Sequence, residues 1–205
     1  MKIKICSLFR SEDIDFANKA LPDYVGFVFA KSKRQIDRGT AADFRKRLDN
    51  SIKAVGVFVN GDIDFIAGLV SDGLIDLVQL HGDEDEEYVG RLRELIPEGV
   101  EIIKAFSVSE NSDVEKAERF PCNYILLDNG RGGTGKAFCW DILKDNMPQR
   151  VFLAGGVNTG NIKDAAALAP YCIDVSSGAE TDGIKDFDKI AELVSAVRNI
   201  GKDRF

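Results

Sequence analysis

Eight short runs rich in apolar and β-branched residues recur along this chain at a nearly regular interval. They are Lys2–Cys6, Tyr24–Phe29, Ala54–Val59, Ile75–Leu80, Glu101–Phe106, Asn123–Leu127, Arg150–Leu153 and Cys172–Val175. Most are too continuous in apolarity to be strands with one wet face; strands buried on both faces read this way. Their starts lie about 21 to 30 residues apart, too far for hairpins and right for strand–helix–strand crossovers.

The intervening segments carry helical spacing. Asp13 to Ala20 puts Ile14 and Ala17 on one face, with Phe16 beside them. Asp62 to Val70 has Ile63, Ile66, Ala67 and Val70 at i, i+3, i+4 and i+7. Glu84 to Ile96 carries a similar stripe and ends at Pro97; Ser112 to Phe120, Asn158 to Leu168 and Phe187 to Ile200 complete the set. Ser11, Asn60, Ser112 and Asn158 lie where N-caps are expected. Asp83, Glu84, Asp85 and Glu86 are expected in a helical first turn, where the dipole favours acids.

Eight strands with helices between them fit a single (β/α)8 TIM barrel spanning residues 1–205, near the lower length limit of that fold. An open doubly wound sheet is the alternative, but its phosphate-binding glycines usually follow the first strand. Here glycine-rich ends follow the sixth, seventh and eighth, at Asp128-Asn129-Gly130 with Gly132-Gly133-Thr134-Gly135 beyond, at Gly155-Gly156 and at Ser176-Ser177-Gly178. Three such ends suit a small anionic, phosphorylated ligand. No linker or abrupt change of composition divides the chain.

Lys and Arg number 27 against 34 Asp and Glu, a formal charge of −7. An acidic chain argues against nucleic acid and against anionic membranes as partners, and an anionic substrate then needs a locally positive site. Cys6, Cys122, Cys139 and Cys172 form no CxxC motif, and the chain's one histidine is His81, so no metal site is expected. With no signal-peptide pattern and no run of about 18 apolar residues, the expected location is the cytoplasm. Monomer and homodimer both remain open.

In a barrel, the loops after the strands form the active face, and those after strands seven and eight often hold phosphate. Gly155-Gly156 can bring bare N–H groups to an anion, and Ser176, Ser177 and Gly178 can add hydroxyls and the start of a short helix. The plain structural reading of both loops is a tight strand-to-helix turn. Asp128 is either a turn aspartate or, in a closed pocket, a general acid. Cys6 ends the first strand and should face the mouth, yet a free cysteine is commonly core. Arg34, in Lys31-Ser32-Lys33-Arg34, is either a solvated charge or a bidentate clamp on a carboxylate. His81 reads as a hydrogen-bonded structural residue, and the other three cysteines as packing.

Taken in order, Lys4-Ile5-Cys6, Gly26-Phe27-Val28-Phe29, Lys31-Ser32 with Arg34, Val78-Gln79-Leu80-His81-Gly82, Leu127-Asp128, Gly132-Gly133-Thr134-Gly135, Ala154-Gly155-Gly156 and Asp174-Val175-Ser176-Ser177-Gly178 resemble the phosphoribosylanthranilate isomerases of tryptophan biosynthesis. The resemblance spans nearly the whole chain. It implies an Amadori rearrangement of N-(5-phosphoribosyl)anthranilate with no cofactor, in which Asp128 is the general acid and Cys6 the general base. It further implies that Arg34 holds the anthranilate carboxylate, and that Gly155, Gly156, Ser176, Ser177 and Gly178 hold the phosphate. Three positions depart from the family's usual pattern: Ser7 stands where glycine is usual, Phe9 where threonine is usual, and Lys33 where proline is usual.

Two other readings stay open at this level. One is a sister phosphosugar barrel: the histidine-pathway isomerase would want a carboxylate where Cys6 stands, and indole-glycerol-phosphate synthase a pocket lysine, for which Lys104 is the one hint. The other is a non-catalytic barrel that binds a phosphorylated ligand.

Overall fold

The computed structural model describes residues 1–128, 140–144 and 147–202. The Gly132–Gly135 motif and Cys139 lie outside the described residues. Eight parallel strands close into a barrel in chain order: β1 Lys2–Ile5, β2 Tyr24–Val28, β3 Lys53–Phe58, β4 Leu77–Leu80, β5 Glu101–Ser107, β6 Tyr124–Asp128, β7 Val151–Leu153 and β8 Cys172–Val175. β8 returns to pair with β1, Lys4 opposite Asp174 and Ile5 opposite Val175.

Helices α1 Ser11–Ala20, α2 Arg38–Arg47, α3 Ile63–Ser71, α4 Glu86–Leu95, α5 Asn111–Arg119, α6 Ile162–Ala167 and α7 Phe187–Lys202 connect the strands. Between β6 and β7 the described residues hold only a short 3-10 turn, Trp140–Leu143. α2 has no counterpart in the hydrophobic spacing, because Ala41 and Phe44 are its only buried residues. The capping expectations are also corrected. The side chains of Asp37, Asp62 and Asp85 accept the cap hydrogen bonds of α2, α3 and α4. Arg10 and Glu110 precede α1 and α5, where Asp13 and Asp113 fold back on the cap backbone, and Asn161 precedes α6. Ser11 and Ser112 are already helical, whereas Asn60 and Asn158 lie in loops.

Strand alternation sorts the core into two layers. Ile3, Ile5, Val25, Phe27 and their equivalents point outward to meet Ile14, Ile66, Leu92 and Leu193 of the helices. Each such fully buried Leu or Ile contributes about 1.5–3 kcal/mol. The opposite parity fills the barrel with Tyr24, Val55, Leu77, Ile103, Leu126 and Phe152. At the N-terminal end of the strands, Tyr24, Tyr124 and Tyr171 close the interior over Phe152, with ring centroids 4.6–5.7 Å apart. Their hydroxyls form a chain ending on Glu101, 2.9 Å from Tyr124 Oη. Burial raises the Tyr24 and Tyr124 phenols above their usual value, so these two stay neutral. The interior is thus closed at this end, and the cavity lies at the other, where the strands finish.

Candidate active site

The parity that sends Lys2 and Lys4 inward carries Cys6 to the mouth of the barrel, and the parity of Tyr124 and Leu126 does the same for Asp128. Both line one cavity of about 420 Å³. Arg34 lines it from the loop after β2, Gly155 and Gly156 from the loop after β7, and Ser176 and Ser177 from the loop after β8. Gly178 does not line it. A Cβ there would overlap the Val157 carbonyl, so this glycine lets the last two loops approach each other, through a parallel bridge to Asn158. The short helix expected after β8 is instead a turn leading into a small hairpin, β9 Glu180–Thr181 and β10 Ile184–Lys185.

Cys6 is 6 % exposed, and its N–H donates to the Val175 carbonyl at 2.8 Å. Gly26 on β2 makes room for its sulfur: a Cβ at that position would stand 2.6 Å from Sγ. Below it lies a buried ion pair, with Lys4 Nζ 3.0 and 3.1 Å from the two carboxylate oxygens of Asp174. Burial works against the Lys4 ammonium, but attraction to Asp174 and to Cys6 outweighs it and holds the lysine above its usual pKa. A fixed positive charge therefore sits beside the thiol.

Across the cavity, His81 also faces the mouth, with Nε2 4.0 Å from Asp128 Oδ2. The Gln79 amide nitrogen stands 3.0 Å from His81 Nδ1. In this orientation the amide donates to Nδ1 and the imidazole proton lies on Nε2, towards the carboxylate. Burial pushes the His81 pKa down, only partly opposed by the Asp128 charge, so the ring is neutral at pH 7. The lone histidine thus has the structural hydrogen bond expected of it and a place in the cavity as well.

Arg34 is held from the hairpin: Nη2 donates to Glu180 Oε2 at 2.5 Å, while Lys185 Nζ lies 2.8 Å from Oε1 and donates to the Ser176 carbonyl at 2.9 Å. Burial lowers the Lys185 pKa, and Glu180 opposes that shift. Arg34 Nε is buried with no hydrogen-bond partner, which leaves a guanidinium edge for an incoming acceptor. Gly155 and Gly156 both have left-handed backbones, φ 85° and 75°, which glycine adopts without strain. The Asn158 and Asn161 amides both donate to the Gly156 carbonyl at 3.0 Å and fix the loop.

One sequence expectation and the hint for the sister synthase both fail here, for one reason. Asp83 and Glu84 are not part of the helical first turn, which starts at Glu86 after the Asp85 cap; Glu84 is buried, accepting from the N–H groups of Asn60 and Gly82 and lying 3.1 Å from Lys104 Nζ. Lys104 is consumed by that carboxylate and by the Gly82 carbonyl at 2.7 Å, and it does not line the cavity. The pocket lysine of the sister synthase thus has no counterpart at this position. Cys122 and Cys172 are buried free thiols, as expected. Among the described residues no group of three or more His, Cys, Asp or Glu side chains is arranged to hold a metal ion.

Known proteins resemble this chain over nearly its whole length. The family model for N-(5'-phosphoribosyl)anthranilate isomerase matches residues 3–196. The N-(5'-phosphoribosyl)anthranilate isomerase of Endomicrobium trichonymphae is 50% identical, covering 97% of this chain and 99% of its own. The crystal structure of the phosphoribosyl anthranilate isomerase from Thermus thermophilus superposes with a TM-score of 0.84 at 30% identity, covering 98% of this chain and all of the other. A phosphoribosyl anthranilate isomerase solved in complex with reduced 1-(O-carboxyphenylamino)-1-deoxyribulose 5-phosphate gives 0.81 at 33% identity, covering 97% of this chain and 99% of the other. A match of this extent, on a barrel with a thiol and a carboxyl facing one mouth, means that the chain belongs to the N-(5'-phosphoribosyl)anthranilate isomerase family.

Proposed function

We propose that the protein converts N-(5-phosphoribosyl)anthranilate into 1-(2-carboxyphenylamino)-1-deoxyribulose 5-phosphate, with Asp128 as general acid and Cys6 as general base. Asp128 gives a proton to the furanose ring oxygen; the C1–O bond breaks as the anilino nitrogen lone pair forms the C=N bond. The resulting Schiff base draws electrons from C2, and Cys6 removes the C2 proton. The C2–H pair becomes the C1–C2 double bond of an enolamine, which tautomerises to the ketone as a proton reaches C1. Atoms and charge balance within the substrate and these two groups, and the imine is the electron sink.

The observation that carries this reading is the shared cavity of Cys6 and Asp128, on strands separated around the ring by β7 and β8. The Lys4 ammonium is disposed to stabilise negative charge on the sulfur, and the His81 Nε2–H to stabilise the carboxylate left on Asp128. The unpaired Nε edge of Arg34 suits the anthranilate carboxylate, with Glu180 holding the other side of the guanidinium. The substrate phosphate is assigned to the left-handed Gly155-Gly156 turn and the Ser176-Ser177 loop. The reduced thiol that this chemistry needs accords with a cytoplasmic location.

The test is the decay of substrate fluorescence on adding purified protein. Cys6→Ala and Asp128→Ala should each lower kcat by about 10²- to 10⁴-fold while leaving the fold, monitored by circular dichroism, intact. Ligand binding without any decay in the unmodified protein would instead identify a non-catalytic phospholigand barrel.

A further inference from the structure

Ser7 has a backbone that side chains avoid. Its φ is 68°, in the left-handed region where a Cβ crowds the peptide and glycine is favoured. In the family resemblance this is the position where glycine is usual. A strained non-glycine residue at the rim of a cavity points to a use for its side chain. That side chain is a hydroxyl, 8 % exposed, and it lines the same cavity as Cys6. Ser7 Oγ lies 3.1 Å from Ser176 Oγ, in the turn after β8. Two hydroxyls bonded to each other use one of their two protons, so the pair keeps one O–H to donate. The Ser176 side of the pair lies in the loop that, with Gly155-Gly156, makes the anion-binding end of the cavity.

We propose that Ser7 is a substrate-binding residue of this chain, its hydroxyl pair with Ser176 donating the spare proton to the substrate phosphate. The anion site then spans three loops, after β1, β7 and β8, rather than two. A neutral donor adds affinity for a dianion without adding a further charge to the cavity. It also ties the segment that follows Cys6 to the ligand's far end. The inference rests on the function proposed above, but its own readout is phosphate affinity.

Ser7→Gly and Ser7→Ala separate the hydroxyl from the strain. Both should raise KM by about 10-fold, the lower end of the worth of a hydrogen bond to a charged group, because the freed Ser176 hydroxyl remains available. kcat should stay within about twofold, as expected for a contact made equally in ground and transition states. Calorimetric titration with inorganic phosphate should weaken in parallel, while inhibition by anthranilate, which has no phosphate, should not change. Ser7→Gly should also unfold at higher urea than the parent, because it relieves the positive φ, whereas Ser7→Ala should not. Unchanged KM and phosphate affinity in both variants would overturn the proposal. So would a fall in kcat at constant KM, which would mean that Ser7 only aims Cys6. An unmodified protein that binds phosphate without converting substrate would refute the isomerase reading and leave the Ser7 comparison readable.

Discussion

At the scale of single residues, the site depends on atoms that are absent as much as on those present. Cys6 reaches the mouth because strand alternation turns it inward, but its sulfur occupies space that the side chain of residue 26 would otherwise fill. Gly26→Ala would bring a methyl to 2.6 Å from Sγ and 3.0 Å from the Cys6 Cα, closer than packed atoms tolerate. One of the two strands must then give way. A general base displaced by about 1 Å loses about 100-fold in rate, while overpacking costs about 1–3 kcal/mol of stability. We therefore expect Gly26→Ala to lower kcat by about 100-fold with a modest fall in the urea midpoint. Full activity in the folded variant would show that Cys6 has slack, and that its position is not set by this contact. The same reasoning explains why Cys6 could not be assigned from its own identity, since core and catalytic cysteines look alike in sequence. Strand parity and the glycine one strand away are what place its sulfur at the mouth.

At the scale of elements, what was legible follows from range. Strands were readable because burial on both faces leaves continuous apolar runs, and the observed boundaries depart by two residues at most. α2 was not readable, because Arg38–Arg47 rests on the barrel through Ala41 and Phe44 alone and is otherwise polar. The glycines after β7 announced their turn by their chemistry. The pairs that position the site were invisible, because they join residues far apart in sequence: Arg34 with Glu180, Lys4 with Asp174, Glu84 with Lys104. The last pair staples the loops after β3 and β4 to β5, just below His81. Removing one partner of a buried pair strands the other, at about 3–5 kcal/mol. Lys104→Met should therefore lower the unfolding free energy by about 3 kcal/mol, measured by urea denaturation. If its turnover, measured below the transition, collapsed while stability held, Lys104 would be acting in catalysis rather than in loop anchoring.

At the scale of the whole molecule, the barrel separates two tasks between its ends. The tyrosine plug closes the N-terminal end with packed aromatic rings, while the C-terminal end collects charge. An acidic chain, −7 overall, keeps Lys4, Arg34 and Lys185 around its cavity by pairing each with a carboxylate. Within this arrangement sits the chain's one histidine, and its environment makes folding stability depend on pH. Burial lowers the His81 pKa in the folded protein below the ordinary 6.5 that the unfolded chain retains. Between those two values the unfolded chain binds a proton that the folded chain does not, so stability rises with pH there. The stabilisation is complete above the unfolded value, and is lost progressively as pH falls below about 6.5 towards the folded value. The carboxylates held below their ordinary value, Asp37, Asp49, Asp113 and Asp186, act in the opposite half of the acid range, below about pH 4. Of the shifts named here, that of His81 is the one that acts between pH 7.5 and 5. Urea midpoints measured across it should fall with pH in the unmodified protein and change much less in His81→Asn, where nothing titrates at that position. An equal fall in both proteins would mean that the imidazole is protonated as readily in the fold as outside it, and that burial does not hold it neutral.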